Sequence, residues 1–223
     1  MPLMARARRL LKTEGVRGLM LGIARFGSAP VHRAFWWESF RVYEFVLTEL
    51  GEVSLAPPVA GLEVHVIECE DDADRLVQEG YEDFRLTIGS SGRRLESGAV
   101  AFCAHVDGVL AHVAWVALSE DAKRSFDVLP YAVDFANGEG CSGGSWTFPR
   151  YRGWGIYRYV MGWRLAYLQS HGCTLCRNAT LADNVAALRG QEVFPHRVIG
   201  RAHVRRLFGR TRWTEYPSDG GGT

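Results

Sequence analysis

Apolar positions recur at three-, four- and seven-residue steps near the start of the chain, at Leu3, Leu10, Leu11, Leu19, Met20, Ile23 and Phe26, with arginines largely between them. That spacing predicts an amphipathic helical arm, broken into short pieces by Gly15, Gly18 and Gly22. An aromatic cluster follows, Phe35, Trp36, Trp37, Phe40, Tyr43 and Phe45, read as packing between arm and core. Pro57-Pro58 cannot continue a helix and marks the expected boundary. Leu62, Val64, Val66 and Ile67 then predict a strand, and Asp71–Tyr81 a helix. Ala99–Val106 and Val109–Leu118 are apolar, partly alternating runs joined by Asp107-Gly108, a pair favoured in two-residue hairpin turns. Ser119 to Gly140 is polar and irregular. Residues 141–148 predict a strand despite Gly143-Gly144, and Ile156, Val160, Trp163 and Tyr167 stripe a buried helix over Ile156–Ser170 that Gly172 ends. Thr174–Thr180 predicts a strand, Asp183–Glu192 a short helix and Val198–Phe208 a last strand. The order is that of an α/β (α+β) fold with a mixed sheet. The expected organisation is an arm over 1–58, a domain over 59–214 and a disordered tail over 215–223.

A length of 223 residues with 47% hydrophobic residues is enough for a substantial core without disulfide staples. Five cysteines, odd in number and scattered, argue against a disulfide framework and for a reducing compartment. With no apolar run long enough to span a bilayer and no signal-peptide pattern, a soluble cytoplasmic protein is expected. The formal charge is +1, which speaks against a dedicated nucleic-acid binder. That sum hides an asymmetry. Residues 1–41 carry eight basic against two acidic groups (+6), residues 197–223 six arginines against Glu215 and Asp219 (+4), and the middle is left at −9. The basic arm admits a dimer contact, a cover over an acceptor site, or peripheral contact of residues 1–45 with an anionic membrane.

The chemistry concentrates in Phe148-Pro149-Arg150-Tyr151-Arg152-Gly153-Trp154-Gly155-Ile156-Tyr157-Arg158, between a strand and a buried helix. Glycines at 153 and 155 open backbone conformations closed to other residues. Unpaired N–H groups and the helix dipole favour an anion at the following helix start, and Arg152 and Arg158 add charge. A third fingerprint glycine is missing and no lysine follows, so a nicotinamide or nucleotide-triphosphate loop fits poorly.

The stretch Pro149–Ile156 closely resembles the acyl-CoA-binding motif of GNAT-type N-acetyltransferases, Arg/Gln-x-x-Gly-x-Gly/Ala, and the resemblance covers most of residues 60–208. It implies a GNAT-like fold, a mostly antiparallel mixed sheet flanked by helices, and acetyl-CoA or another acyl-CoA as co-substrate. Backbone amides of Arg152, Gly153, Trp154, Gly155, Ile156, Tyr157 and Arg158 would hold the pyrophosphate. Thr147 and Phe148 would pair with the pantetheine arm, Asn184 would contact that arm or the thiol, and the sheet would splay between the 141–148 and 174–180 strands. A small-molecule primary amine would arrive from the opposite side, near the hairpin strands and Gly143-Gly144, and attack directly. Tyr157 stands where a small residue is usual. Gln191 falls where many members carry a proton-donating tyrosine, and Val193-Phe194 replaces the usual Gly-Phe pair. A non-catalytic acyl-CoA-binding module, or a membrane-surface adaptor, is the alternative.

The amine needs a base, for which Glu139 and Asp134 are the candidates; a solvated loop carboxylate is the competing reading of Glu139. A strand amide near Trp146–Phe148 would polarise the carbonyl. His105 and His112 would line the acceptor pocket or be ordinary sheet histidines. Cys173 and Cys176 have half the spacing of a zinc site, but no second pair follows, and no metal is expected.

Overall fold

Asp107 and Gly108 both take positive φ, 50° and 76°, the geometry of a type I′ turn whose twist matches the strands it joins. They connect β3 (Val100–Val106) to β4 (Val109–Ala117) in the hairpin that the sequence predicts. The computed structural model describes residues 35–51, 56–207 and 210–217. The helices expected over residues 1–34, the membrane contact assigned to that part of the arm, and residues 218–223 lie outside them.

The other strands are β1 (Phe35–Val46), β2 (Leu62–Ile67), β5 (Glu139–Thr147), β6 (Leu175–Leu181), β7 (His196–Leu207) and β8 (Arg210–Pro217). Their order in one sheet is β2-β3-β4-β5-β6-β1-β7-β8. β2, β3, β4 and β5 pair antiparallel in sequence, β5 with β6 is parallel, and β6 with β1 is antiparallel. The helices are α1 (Glu70–Gln78), α2 (Ser91–Glu96), α3 (Glu120–Phe126), α4 (Ile156–Ser170) and α5 (Val185–Gln191). This is the mixed, mostly antiparallel sheet flanked by helices that the sequence predicts.

Two placements differ from the sequence reading. The aromatic cluster assigned to an arm ending at residue 58 is a strand, β1, paired to β6 from Phe40↔Leu181 to Val46↔Leu175. Val42, Tyr43, Phe45 and Val46 are buried one after another; a strand covered on both faces shows a continuous apolar run rather than alternation. Residues 215–217, assigned to a disordered tail, end β8.

Residues 40–202 with 215–217 form one unit, and residues 35–39 with the described part of 203–214 form another. In the second unit Ser39 Oγ hydrogen-bonds His203 Nδ1 at 2.9 Å, and the Arg205 guanidinium lies 4.1 Å from the Trp37 ring centroid. In the first, α4 covers a core of Phe102, Ala104, Val116, Val160, Met161, Leu165 and Leu168, joined by Tyr43 and Phe45 from β1. A separate group with Trp115, Phe84 and Phe126 packs with α2 and α3 against β3, β4 and β5. α3 lies where the sequence shows only an irregular stretch; the Ser119 hydroxyl caps it by accepting from Ala122 N–H.

Candidate functional site

The parallel pairing of β5 and β6 stops after three rungs: Glu139↔Leu175, Gly140↔Cys176 and Cys141↔Arg177. β5 continues to Thr147 along β4 alone, through Trp146↔Val113 and Thr147↔His112. The sheet is therefore split between β5 and β6, where the resemblance implies a splay.

The closed end of the split is clamped. Arg177 Nε and Nη2 donate to both Glu139 oxygens at 2.8 Å, and Arg177 Nη2 also lies 3.2 Å from Glu44. Asp134 N–H donates to the same Glu139 carboxylate at 2.7 Å. The Arg177 bonds hold the Glu139 carboxyl below the usual carboxylate range, against the opposing effect of burial. Glu139, expected as the base, is bound bidentately by a guanidinium and has its proton affinity lowered, which makes a strong clamp and a weak base. Asp134, the other candidate base, starts the 3-10 turn Phe135–Asn137 and accepts from Asn137 Nδ2 at 2.7 Å.

Above the clamp a polar seam crosses the split. Asn178 Nδ2 reaches Ser142 Oγ at 3.5 Å, Thr180 Oγ1 donates to Asn178 Oδ1 at 2.8 Å, and Gln191 Nε2 lies 2.8 Å from Thr180 Oγ1 and 2.7 Å from the Tyr157 hydroxyl. Gln191 is thus a buried amide tying α5 to α4. Tyr157, in the first turn of α4, fills the space that Gly190 leaves; a methyl on Gly190 would fall 2.7 Å from the Tyr157 ring. Beneath it the fully buried Arg164 donates from Nη2 to Met161 Sδ at 3.0 Å.

At the open end, Phe148 N–H donates to Ala111 O at 3.0 Å. Its amide is committed to β4, which corrects the expectation that Phe148 pairs with an arm in the split. Strand alternation then turns the backbone of Thr147 away from β4, into the opening. There its carbonyl accepts from Arg152 Nε at 3.1 Å, and its hydroxyl hydrogen-bonds His112 Nδ1 at 2.7 Å. Arg152 also lies over the Trp146 ring at 5.2 Å.

Next comes the glycine loop. Gly153 and Gly155 sit at φ 81° and 79°, and Gly155 is the N-cap of α4. A positive φ is costly for any residue with a Cβ, so the two glycines turn the chain here, and the first N–H groups of α4 are left without side-chain caps. Ile156 is buried and serves the loop through its backbone; Trp154 is half exposed against Tyr151. Ala56, Pro58, Gly155, Arg158 and Tyr159 line a small cavity here. Asn184 caps α5, its Oδ1 accepting from Ala187 N–H at 3.2 Å.

On the α2–α3 side, β5 carries one extra residue opposite Val113–Trp115, and Gly144 takes φ 57°, the signature of a β-bulge. Trp115 presses on it: a methyl at Gly144 would lie 2.8 Å from the indole, and one at Gly143 would lie 3.1 Å from Phe126 and 3.7 Å from Asp127 Oδ2. Sequence reasoning missed Asp127, because its place beside the bulge depends on how α3 docks.

The partners of His105 and His112 lie away from the bulge. His105 stacks edge-on with His65 and Tyr81 and bonds Glu82 O at 3.1 Å; His112 faces Tyr157. Burial pushes His105 down to about 4 and His112 down to about 3, with Arg164 adding to the latter. Cys173 and Cys176 are buried, and burial raises Cys176 to about 12. Among the described residues no group of three or more His, Cys, Asp or Glu side chains is placed to hold a metal, and no helix is long and apolar enough to cross a membrane.

No protein-family model and no curated protein matches the sequence. Solved structures do. The GCN5-related glucosamine N-acetyltransferase region of a fungal multi-domain GH3 β-N-acetylglucosaminidase superposes with a TM-score of 0.54 at 11% identity, over 84% of this chain and 22% of that one. An acetyltransferase of the GNAT family from Colwellia psychrerythraea gives 0.48 at 17% identity, over 82% and 57%. A GCN5-related N-acetyltransferase from Kribbella flavida gives 0.46 at 13%, over 87% and 74%. The chain spans 57–63% of the length of three solved chains that it matches. The fold is that of GNAT-type N-acetyltransferases, with a β5–β6 split beside a glycine-turned helix start.

Proposed function

We propose that this chain is an acyl-CoA-dependent N-acyltransferase, moving an acetyl group from acetyl-CoA to a primary amine of a small molecule. The observation that carries this reading is the split, which opens at Cys141↔Arg177 and runs toward the two left-handed glycines at the start of α4. A long, thin co-substrate with a polyanionic end fits that shape. The free N–H groups at the start of α4, with Arg158 beside them, would hold the pyrophosphate, and the Thr147 N–H, turned into the opening, would meet an amide of the arm.

Transfer is direct attack of a neutral amine on the thioester carbonyl, so no cysteine is needed as a nucleophile. The buried thiols agree, since burial raises Cys141 and Cys176 and keeps them protonated. With Glu139 locked to Arg177, Asp127 beside the Gly143-Gly144 bulge is the carboxylate we assign to the amine. The leaving thiolate finds no tyrosine at position 191, and the Gln191 amide there favours a second reading, an acyl-CoA-binding module without turnover. Thiol release in the presence of an amine panel separates the two.

Thermal unfolding with and without CoA or acetyl-CoA tests binding. We expect the melting midpoint to rise with ligand, corresponding to about 2.7 kcal/mol of added stability at a hundredfold excess over Kd. Gly155→Asp should abolish binding, through like charge and through the side chain forced on Pro58, whose Cβ lies 3.2 Å from a methyl at that position. Arg158→Gln leaves the turn intact and should weaken binding several-fold. Wild-type affinity in Arg158→Gln and Gly155→Asp together would overturn the cradle.

A further inference from the structure

Arginines on the α1–α2 side of the sheet divide sharply. Arg85 takes three carboxylates, Asp83 at 3.0 Å, Glu70 at 2.6 Å and Asp74 at 2.7 Å. Arg94, on α2, takes none: its side chain has no hydrogen bond or ion pair among the described residues, and its Nε is buried without a partner. Its guanidinium instead lies 5.0 Å from the centroid of Trp115. Trp115 is fully buried, and its indole N–H is also without an acceptor. Arg94 is only half-buried, but its Nε and the indole N–H are both shut from water and have no acceptor, a costly arrangement. A solvating water or a ligand oxygen would relieve it, and only an anion would also answer the charge.

The indole sits at the bulge of β5, with the Arg94 guanidinium over its ring. Trp115 packs on Gly144, stacks on Phe126 at a centroid distance of 6.5 Å, and through Phe126 adjoins Asp127. The Asp127 carboxylate stands beside Gly143, its oxygens accepting from Leu129 N–H at 2.9 Å and the Tyr131 hydroxyl at 2.6 Å. Arg94 and Asp127 make no ion pair with each other. A cation and an anion thus flank one aromatic pair without neutralising each other, which is the complement of a zwitterion.

We propose that the acceptor is an amine that also bears a carboxylate, of the amino-acid class, with Arg94 and the Trp115 indole N–H receiving the carboxylate and Asp127 the ammonium. This names the substrate class of the site and rests on the acyltransferase reading. Bidentate pairing of a guanidinium with a carboxylate fixes orientation as well as charge, and would aim the amine at the bulge, where β5 faces the split. Arg94 is a binding residue here.

The full chain is titrated calorimetrically with amino acids, their amides and their decarboxylated amines, with and without CoA. Thiol release from acetyl-CoA is then measured with the same panel. The acids should bind and react better than the matched amides and amines, about 10–100-fold in KM, the range that a charged hydrogen-bond pair supplies. Arg94→Met should erase that preference while leaving the affinity for CoA unchanged. Asp127→Asn should weaken acids and amines alike. Amides that match the acids, or a preference that survives Arg94→Met, would overturn the proposal even where CoA binds. Because amino-acid binding is read without CoA, Arg94-dependent binding in a protein that fails to bind CoA would support the zwitterion site and sink only the acyltransferase reading.

Discussion

Glu139 shows how a side chain in a plausible position is excluded by its partners. A base must be free to accept a proton and carry a matched proton affinity. Glu139 spends both oxygens on Arg177 and one also on the Asp134 N–H, at an end of β5 where the sheet is still closed. Glu139→Gln should therefore cost stability, about 1–3 kcal/mol for a nearly buried charged bond, with Arg177 left to Glu44. The pH–rate profile and CoA affinity of the folded variant should match wild type. A lost acid limb in that profile, with unchanged denaturation, would restore Glu139 as the base. Arg164 is the opposite kind of residue: fully buried, two of its nitrogens unpartnered, and without a carboxylate. Burial lowers its proton affinity, with Tyr157 the leading opposing influence. Replacing a buried, uncompensated charge with an apolar side chain of similar length is neutral or stabilising in comparable settings. Arg164→Met should accordingly leave the urea midpoint unchanged or raise it, and a fall of several kcal/mol would show that the guanidinium is held by more than Met161 and Tyr157.

Among the elements, the hairpin, the glycine-capped α4 and the strand β6 are legible because each is set locally. Asp107-Gly108 fixes its own turn, and Ile156–Ser170 carries its own stripe and stop signal. β1 is the instructive miss. Its apolar run has no alternation because it lies between β6 and β7 with both faces covered, so a cluster of aromatic residues reads as packing rather than as a strand. α3 was marked by Ser119 followed by Glu120 and Asp121, a helix-start pattern inside an otherwise irregular stretch. The split was legible only by resemblance, and the Arg94–Trp115–Asp127 grouping not at all, since three separate segments build it. Phe45→Ala measures how deeply β1 belongs to the core. The ring is fully buried against Tyr43 and His196, and its loss should cost about 3–5 kcal/mol in urea denaturation. A loss below about 1 kcal/mol would return residues 40–46 to the status of a dispensable arm.

For the molecule as a whole, several buried groups bias the response to acid in one direction. His112 and His105 are pushed down by burial, to about 3 and about 4, and burial lowers His65 as well. In the unfolded chain each titrates near its ordinary value of about 6.5. Between that value and the depressed one, the unfolded chain binds protons that the folded chain refuses, so stability falls as pH falls, by up to about 1.4 kcal/mol per pH unit for each histidine. The carboxylates extend the trend. Arg177 holds Glu139 low, and the Glu68 N–H holds Asp72 low, so their contribution is present above their ordinary range and disappears as pH drops through their folded values. Among the described residues the basic groups that are raised, Arg85 and Arg177, stay charged throughout this window and do not offset it. Urea denaturation should show stability falling by at least about 2 kcal/mol between pH 7 and pH 5. His105→Gln keeps a donor for the Glu82 carbonyl and removes one titration, so it should flatten that slope by close to one proton. A slope unchanged in His105→Gln would place the acid sensitivity outside the sheet histidines and leave the carboxylate clamps to carry it.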